Sequence, residues 1–201
     1  MRTAALLAVA CAALVAGGAA LATSEREPRV TLIGDSITES FEYVPSARRY
    51  LGRGVDLRSD SAVCRRLVAS SCTFQSAQPA TALDFIRGQG SALGSVVVVN
   101  VGYNDWAAVY DVDRVMRALK ATHVRTVVWV TLRETTSNYA QNNARITNAA
   151  KRWRNLVVAD WNGYSRGKPW FRSDGLHLTT AGATGLSRLL RPLILRAITG
   201  S

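Results

Sequence analysis

The chain has 201 residues, 48% of them apolar, with a formal charge of +11 at neutral pH. Nearly all the positive charge is arginine, since only Lys120, Lys151 and Lys168 are lysine, and it is scattered along the chain. No basic stripe with interleaved aromatics and no nucleic-acid-binding motif appears, so a nucleic-acid partner is excluded and an anionic cell envelope is the more economical one.

Arg2 precedes an apolar run over residues 4–22, and Ala20-Leu21-Ala22 has the small-x-small form of a cleavage site. Residues 1–22 are therefore expected to be a signal peptide, which places residues 23–201 outside the cytoplasm as one domain. Two alternatives stay open. An uncleaved anchor is one, because about 20 apolar residues can span a bilayer. A lipoprotein attached through Cys11 is the other, although Ala8 is a poor residue three positions ahead of it. After cleavage only Cys64 and Cys72 remain. An oxidising compartment favours pairing them, with two free buried thiols as the alternative. Cysteines and histidines are too few for a closed zinc site, and no cofactor is implied.

Strands are expected at residues 30–33, 55–57, 96–101, 126–131 and 156–159. The runs Val96-Val97-Val98-Val99 and Val127-Val128-Trp129-Val130 are continuous, as strands buried on both faces of a parallel sheet read. Between them lie helical patterns. Asp111 has the place of an N-cap, followed by Val112, Val115, Met116 and Leu119 at helical spacing. Residues 136–154 are polar and helix-compatible. The last stretch aligns Leu186, Leu189, Leu190, Leu193 and Ile194 on one face, with Pro192 expected to kink or divide it. Strand–helix–strand repetition predicts right-handed crossovers and a three-layer α/β/α sandwich around a parallel sheet of about five strands.

Three short segments carry chemistry. Gly34-Asp35-Ser36 closes the first strand, Gly102-Tyr103-Asn104-Asp105 follows the third, and Asp174-Gly175-Leu176-His177 precedes the last helix. Open parallel sheets form sites outside the carboxyl ends of their strands, so all three can converge on one edge. A serine hydroxyl needs a base, a group that orients the base, and donors for the developing oxyanion. Only His123 and His177 are available as the base, and His177 lies three residues after a carboxylate.

Gly34-Asp35-Ser36-Ile37 resembles block I of the SGNH (GDSL-type) hydrolases. Gly102-Tyr103-Asn104-Asp105 resembles their Gly-x-Asn-Asp block III, and Asp174-x-x-His177 their block V. The three occur in the family's order over most of the chain beyond residue 22. The resemblance implies the strand order 2-1-3-4-5 and a triad of Ser36, His177 and Asp174. It also implies an oxyanion hole from the Ser36 N–H, the Asn104 amide and a block II N–H, with Gly102 allowing close backbone approach. Block II departs from the pattern. The segment Asp60-Ser61-Ala62-Val63-Cys64-Arg65-Arg66 is similar to the Asp-Ala-x-x-Gly-Arg segment of SGNH domains in bacterial envelope O-acetyltransferases and esterases, with Cys64 at the glycine position.

Each residue also has a plainer reading. Ser36 alone reads as a helix N-cap, His177 as a surface histidine, Asp174 as the start of a turn with Gly175, and Asn104 as a turn residue. Asp35 and Asp105 read as braces. Tyr103, Trp106, Trp161, Tyr164, Trp170 and Phe171 either stack on a sugar, line an acyl pocket or pack the sandwich edge. Arg133-Glu134 either contacts substrate or forms a rim pair. The expectation is an exported serine esterase acting on a small ester, above all a short acyl group on an envelope glycan, with a lipid second. An O-acyltransferase using the same triad and a non-catalytic envelope-binding protein are the alternatives.

Overall fold

The computed structural model describes residues 27–200. The expected signal peptide, its cleavage site after Ala22 and the alternative attachment at Cys11 lie outside the described residues. Strands β1 (Arg29–Gly34), β2 (Asp56–Ser61), β3 (Val96–Asn100), β4 (Thr126–Val130) and β5 (Leu156–Ala159) pair in parallel in the order β2-β1-β3-β4-β5. Gly34 lies beside Ser61 on one side and Asn100 on the other, which aligns the carboxyl ends of the three strands that lead into the site.

Alternate residues of each central strand enter two separate cores. Val30, Leu32, Val96, Val98, Val128 and Val130 pack with residues of α1 (Ser40–Tyr43), α2 (Pro45–Leu51) and α7 (Thr180–Thr199), among them Phe41, Leu51, Leu186 and Leu190. Ile33, Val97, Val99, Val127 and Trp129 pack with α3 (Ala82–Gln89), α4 (Val112–Lys120) and α5 (Ser137–Ala150), through Ile86, Met116 and Ile146. Both faces are dry, which is why the strands read as unbroken apolar runs. Each such side chain contributes about 1.5–3 kcal/mol by its burial. The short α6 (Trp161–Tyr164) follows β5. Five helices are capped as their sequences allow: Thr81, Asp111, Thr136, Asp160 and Thr179 each accept a first-turn backbone N–H. Among the described residues, no helix is long and apolar enough to cross a membrane.

Two elements differ from expectation. The second strand, expected at 55–57, runs from Asp56 to Ser61. It is an edge strand whose side chains are mostly half-buried, so its ladder is built on a polar sequence that carries no apolar run. The last helix is not divided at Pro192, which lies inside one continuous helix. Leu186 and Leu190 before the proline and Ile194 after it are buried in the same core, and that packing holds both sides of Pro192 in helix.

Candidate active site

The chain leaves β1 through a tight turn. A Cβ on Gly34 would lie 2.0 Å from the Thr38 Cβ, so only glycine allows the turn to fold back this closely. Ser36 was expected to open a helix. Instead it stands within a run of turns, and α1 begins only at Ser40. Its N–H still makes no hydrogen bond among the described residues. Asp35 is fully buried and works as a brace. One of its oxygens accepts the Ile37 N–H at 3.1 Å, and the other accepts those of Gly102 and Tyr103, both at 3.1 Å. Burial raises its carboxyl to about 6, against the opposing pull of those N–H groups.

The loop before α7 presents His177. Asp174 Oδ1 accepts the N–H groups of Leu176 at 2.8 Å and His177 at 2.9 Å, an Asx-type turn. Its Oδ2 is 2.7 Å from His177 Nδ1, and His177 Nε2 is 3.0 Å from Ser36 Oγ. Asp174 therefore starts the turn and orients the imidazole at once. The Leu176 N–H, and next the His177 ring, hold its carboxyl down at about 2. The imidazole has one nitrogen on a carboxylate and the other on a hydroxyl, the arrangement needed to take a proton from the hydroxyl. His123 is exposed, in the connection from α4 to β4.

Arg133 holds this loop from the β4 side. Its guanidinium donates to the Gly175 carbonyl and lies 3.9 Å from the Phe171 ring centroid. Arg133 and Glu134 do not form the expected rim pair with each other: Glu134 accepts the Asn143 amide at 2.9 Å instead.

The loops expected to hold an oxyanion lie on the β2 and β3 side. Cys64 is disulfide-bonded to Cys72, with Cα atoms 5.0 Å apart. Its φ is 69°, the left-handed region that favours glycine, at the position where the resemblance has one. Its N–H also makes no hydrogen bond among the described residues. Asn104 donates its side-chain amide to the Arg65 carbonyl at 3.1 Å, which leaves one amide hydrogen unspent. Arg66 Nε returns a bond to the Asn104 carbonyl at 2.8 Å. Asp105 receives the Leu67 N–H at 3.0 and 3.1 Å, and burial raises its carboxyl to about 7. Gly102 leaves no room for a side chain: a Cβ would stand 2.9 Å from Leu132 Cδ1 and 3.1 Å from the Tyr110 ring.

Arg65 and Arg66 were not singled out by their sequence. Arg65 is buried, with its guanidinium on the carbonyls of Ala80 and Asp60 at 3.1 and 2.7 Å. Its only signal was its place after Cys64, where the similar segment carries Arg after its glycine. The aromatics divide sharply. Trp161 is buried and stacks on Trp170 at 5.7 Å, Phe171 meets Trp161 edge-on, and buried Tyr103 accepts the Arg133 N–H at 2.7 Å. These pack the sandwich edge. Trp106, 65% exposed with the Arg66 guanidinium 4.7 Å from its ring centroid, does not.

Gly163-Tyr164-Ser165-Arg166-Gly167 has the Gly-x-Ser-x-Gly form of the nucleophile elbow of α/β-hydrolases. That elbow joins a strand to a helix and exposes its serine. Ser165 follows the four-residue α6, is buried, and bonds neither histidine. The pentapeptide is not a nucleophile elbow here.

No family model matches the chain, and no curated protein sequence does. Solved structures are similar to it. A carbohydrate acetylesterase family member from Sinorhizobium meliloti superimposes with a TM-score of 0.64 at 14% identity, over 85% of this chain and 99% of the other. The chain shares its fold with solved esterase structures. A psychrotrophic esterase from a Pseudoalteromonas species gives 0.60 at 10% identity, over 86% and 99%. The family 3 carbohydrate esterase of Clostridium thermocellum gives 0.55 at 16% identity, over 85% and 98%. At these identities the likeness speaks for the fold, and the chemistry has to be argued from the side chains.

Proposed function

We propose that this protein is an exported SGNH-type serine esterase that hydrolyses short acyl esters, acetyl above all, on a cell-envelope glycan or lipid. The observation that carries the reading is the unbroken relay from Asp174 Oδ2 through His177 to Ser36 Oγ, with links of 2.7 and 3.0 Å. In the reaction Ser36 Oγ attacks the ester carbonyl while His177 Nε2 takes its proton. The Asp174 carboxylate keeps the Nδ1–H on its own side, so Nε2 is the lone-pair nitrogen facing Ser36. The tetrahedral oxygen is stabilised by the unspent N–H groups of Ser36 and Cys64 and by the free amide hydrogen of Asn104. His177 then protonates the departing alcohol, and a water activated by the same nitrogen releases the acid from Ser36.

The esterase fold supports ester hydrolysis in general, and the acetylesterase among the similar structures supports a short acyl group. Export rests on the sequence of residues 1–22. The test is a series of p-nitrophenyl esters from acetyl to long chains, assayed on residues 23–201 with Ser36→Ala as control. Hydrolysis that falls with chain length and vanishes in a folded Ser36→Ala protein is expected. Retention of most activity by that variant would end the assignment.

A further inference from the structure

At the carboxyl ends of β4 and β5 a cavity of about 260 Å³ opens, lined by Arg133, Glu134, Asn162, Ser165, Arg166 and Gly167. Ser165 is 2% exposed, and its hydroxyl has no hydrogen-bond partner among the described residues. That hydroxyl is sealed from solvent, so the groups the cavity offers to a ligand are those of its other lining side chains. Arg166 is exposed, and its guanidinium has no ion pair or hydrogen bond among the described residues, so it is free for a ligand. Asn162 is fixed by accepting the Glu134 N–H at 3.0 Å, which leaves its own amide hydrogens for a ligand. Two guanidinium groups stand against one carboxylate here, and that carboxylate already accepts the Asn143 amide. The lining is made of hydrogen-bonding groups with a net positive charge.

The cavity shares a wall with the base. Arg133 lines it and also donates to the Gly175 carbonyl, inside the turn that carries Asp174 and His177. The proton on His177 Nε2 must reach the departing oxygen, so the alcohol half of an ester leaves on the His177 side, while Cys64 and Asn104 hold the oxyanion. We propose that this cavity seats the alcohol half of the substrate and that this alcohol is a hydroxylated anion, a sugar acid or a phosphorylated polyol. The inference rests on the hydrolase reading above. A guanidinium matches carboxylate and phosphate equally well, and the sugar hydroxyls meet Asn162 and Glu134.

The test uses calorimetric titration of the wild-type protein and Arg166→Ala with glucuronate, glycerol 3-phosphate and glucose. Hydrolysis of p-nitrophenyl acetate is measured alongside. One of the two anions is expected to bind at least about tenfold more tightly than glucose, and Arg166→Ala to weaken it about tenfold, as for loss of one charge-assisted hydrogen bond. Which anion wins identifies carboxylate or phosphate. That anion should also inhibit p-nitrophenyl acetate hydrolysis competitively, and Arg166→Ala should raise its inhibition constant by the same factor as its dissociation constant. Equal binding of all three, no binding of any, or indifference to Arg166→Ala would overturn the site. Binding without competitive inhibition would overturn its role as the alcohol subsite. Arg166-dependent anion binding with no ester hydrolysis would instead sink the hydrolase reading and leave the anion site standing.

Discussion

The side-chain amide of Asn104 donates to the carbonyl of Arg65 at 3.1 Å, joining the loop after β3 to the loop after β2 one residue beyond Cys64. The two segments that would flank an oxyanion thus set each other's position, and Arg66 Nε doubles the link by bonding the Asn104 carbonyl. Asn104→Ala is expected to lower kcat by roughly 100- to 1000-fold with KM little changed, because the amide meets a charge that exists only in the transition state. Steady-state kinetics check this. A change confined to KM would make Asn104 a substrate-binding residue.

Replacing Asp174 separates its two duties. Asp174→Asn keeps an acceptor oxygen for the turn N–H groups but puts an amide opposite His177 Nδ1, which favours the wrong tautomer. The expected loss in kcat is about 10⁴-fold with the fold intact. Because the Asp174 carboxyl is held at about 2, it stays ionised well into acid. A fall in activity that begins above about pH 4 therefore does not come from its protonation. Near wild-type turnover by Asp174→Asn would remove it from the relay.

Cys64 holds a glycine-like φ of 69° with a disulfide across the loop. Reduction should cost about 2–4 kcal/mol of stability. Activity should fall below the melting temperature too, as the Cys64 N–H is released from its place. The left-handed backbone disfavours any side chain at this position by about 1–2 kcal/mol. Cys64→Gly with Cys72→Ala should therefore be more stable and more active than Cys64→Ser with Cys72→Ser. Calorimetry and ester assays compare them. A serine double variant that is less stable yet fully active would make the bridge purely structural.

Two buried carboxyls give stability a pH dependence. Burial raises Asp35 to about 6 and Asp105 to about 7 in the folded chain, above the ordinary value of 3.8. Raised folded values mean that the native state holds more protons, so this contribution is complete below about pH 4 and is lost as pH rises through 6 and 7. The melting temperature should fall between pH 5 and pH 8, and Asp105→Asn should shrink that fall. An unchanged difference in the variant would clear Asp105 of the effect. Asp56, Asp113 and Asp174 are shifted the other way, so their contribution disappears only in stronger acid.

Much of the molecule was legible in one dimension. The valine runs of β3 and β4 announce a sheet buried on both faces, because dehydration of both surfaces leaves no polar alternation to confuse the period. Ser36 and Asn104 were legible because the turns after parallel strands share one edge of the sheet, and Asp174 and His177 because a carboxylate stands three residues before an imidazole. The edge strand β2 was less visible, since a half-buried ladder is held by backbone hydrogen bonds that any polar sequence can make. The unbroken α7 was equally hidden, because core contacts on both sides of Pro192 outweigh its local preference. The contacts that Arg65, Arg66 and Arg133 make were not legible at all. Their roles depend on which carbonyls their guanidinium groups meet, those of Asp60, Ala80, Asn104 and Gly175, and three of the four lie more than ten residues from the arginine they accept from. Residue type and spacing determined which groups were present for chemistry. Only the folded chain, by bringing 141 residues of separation between Ser36 and His177 down to 3.0 Å, decided that they could act together.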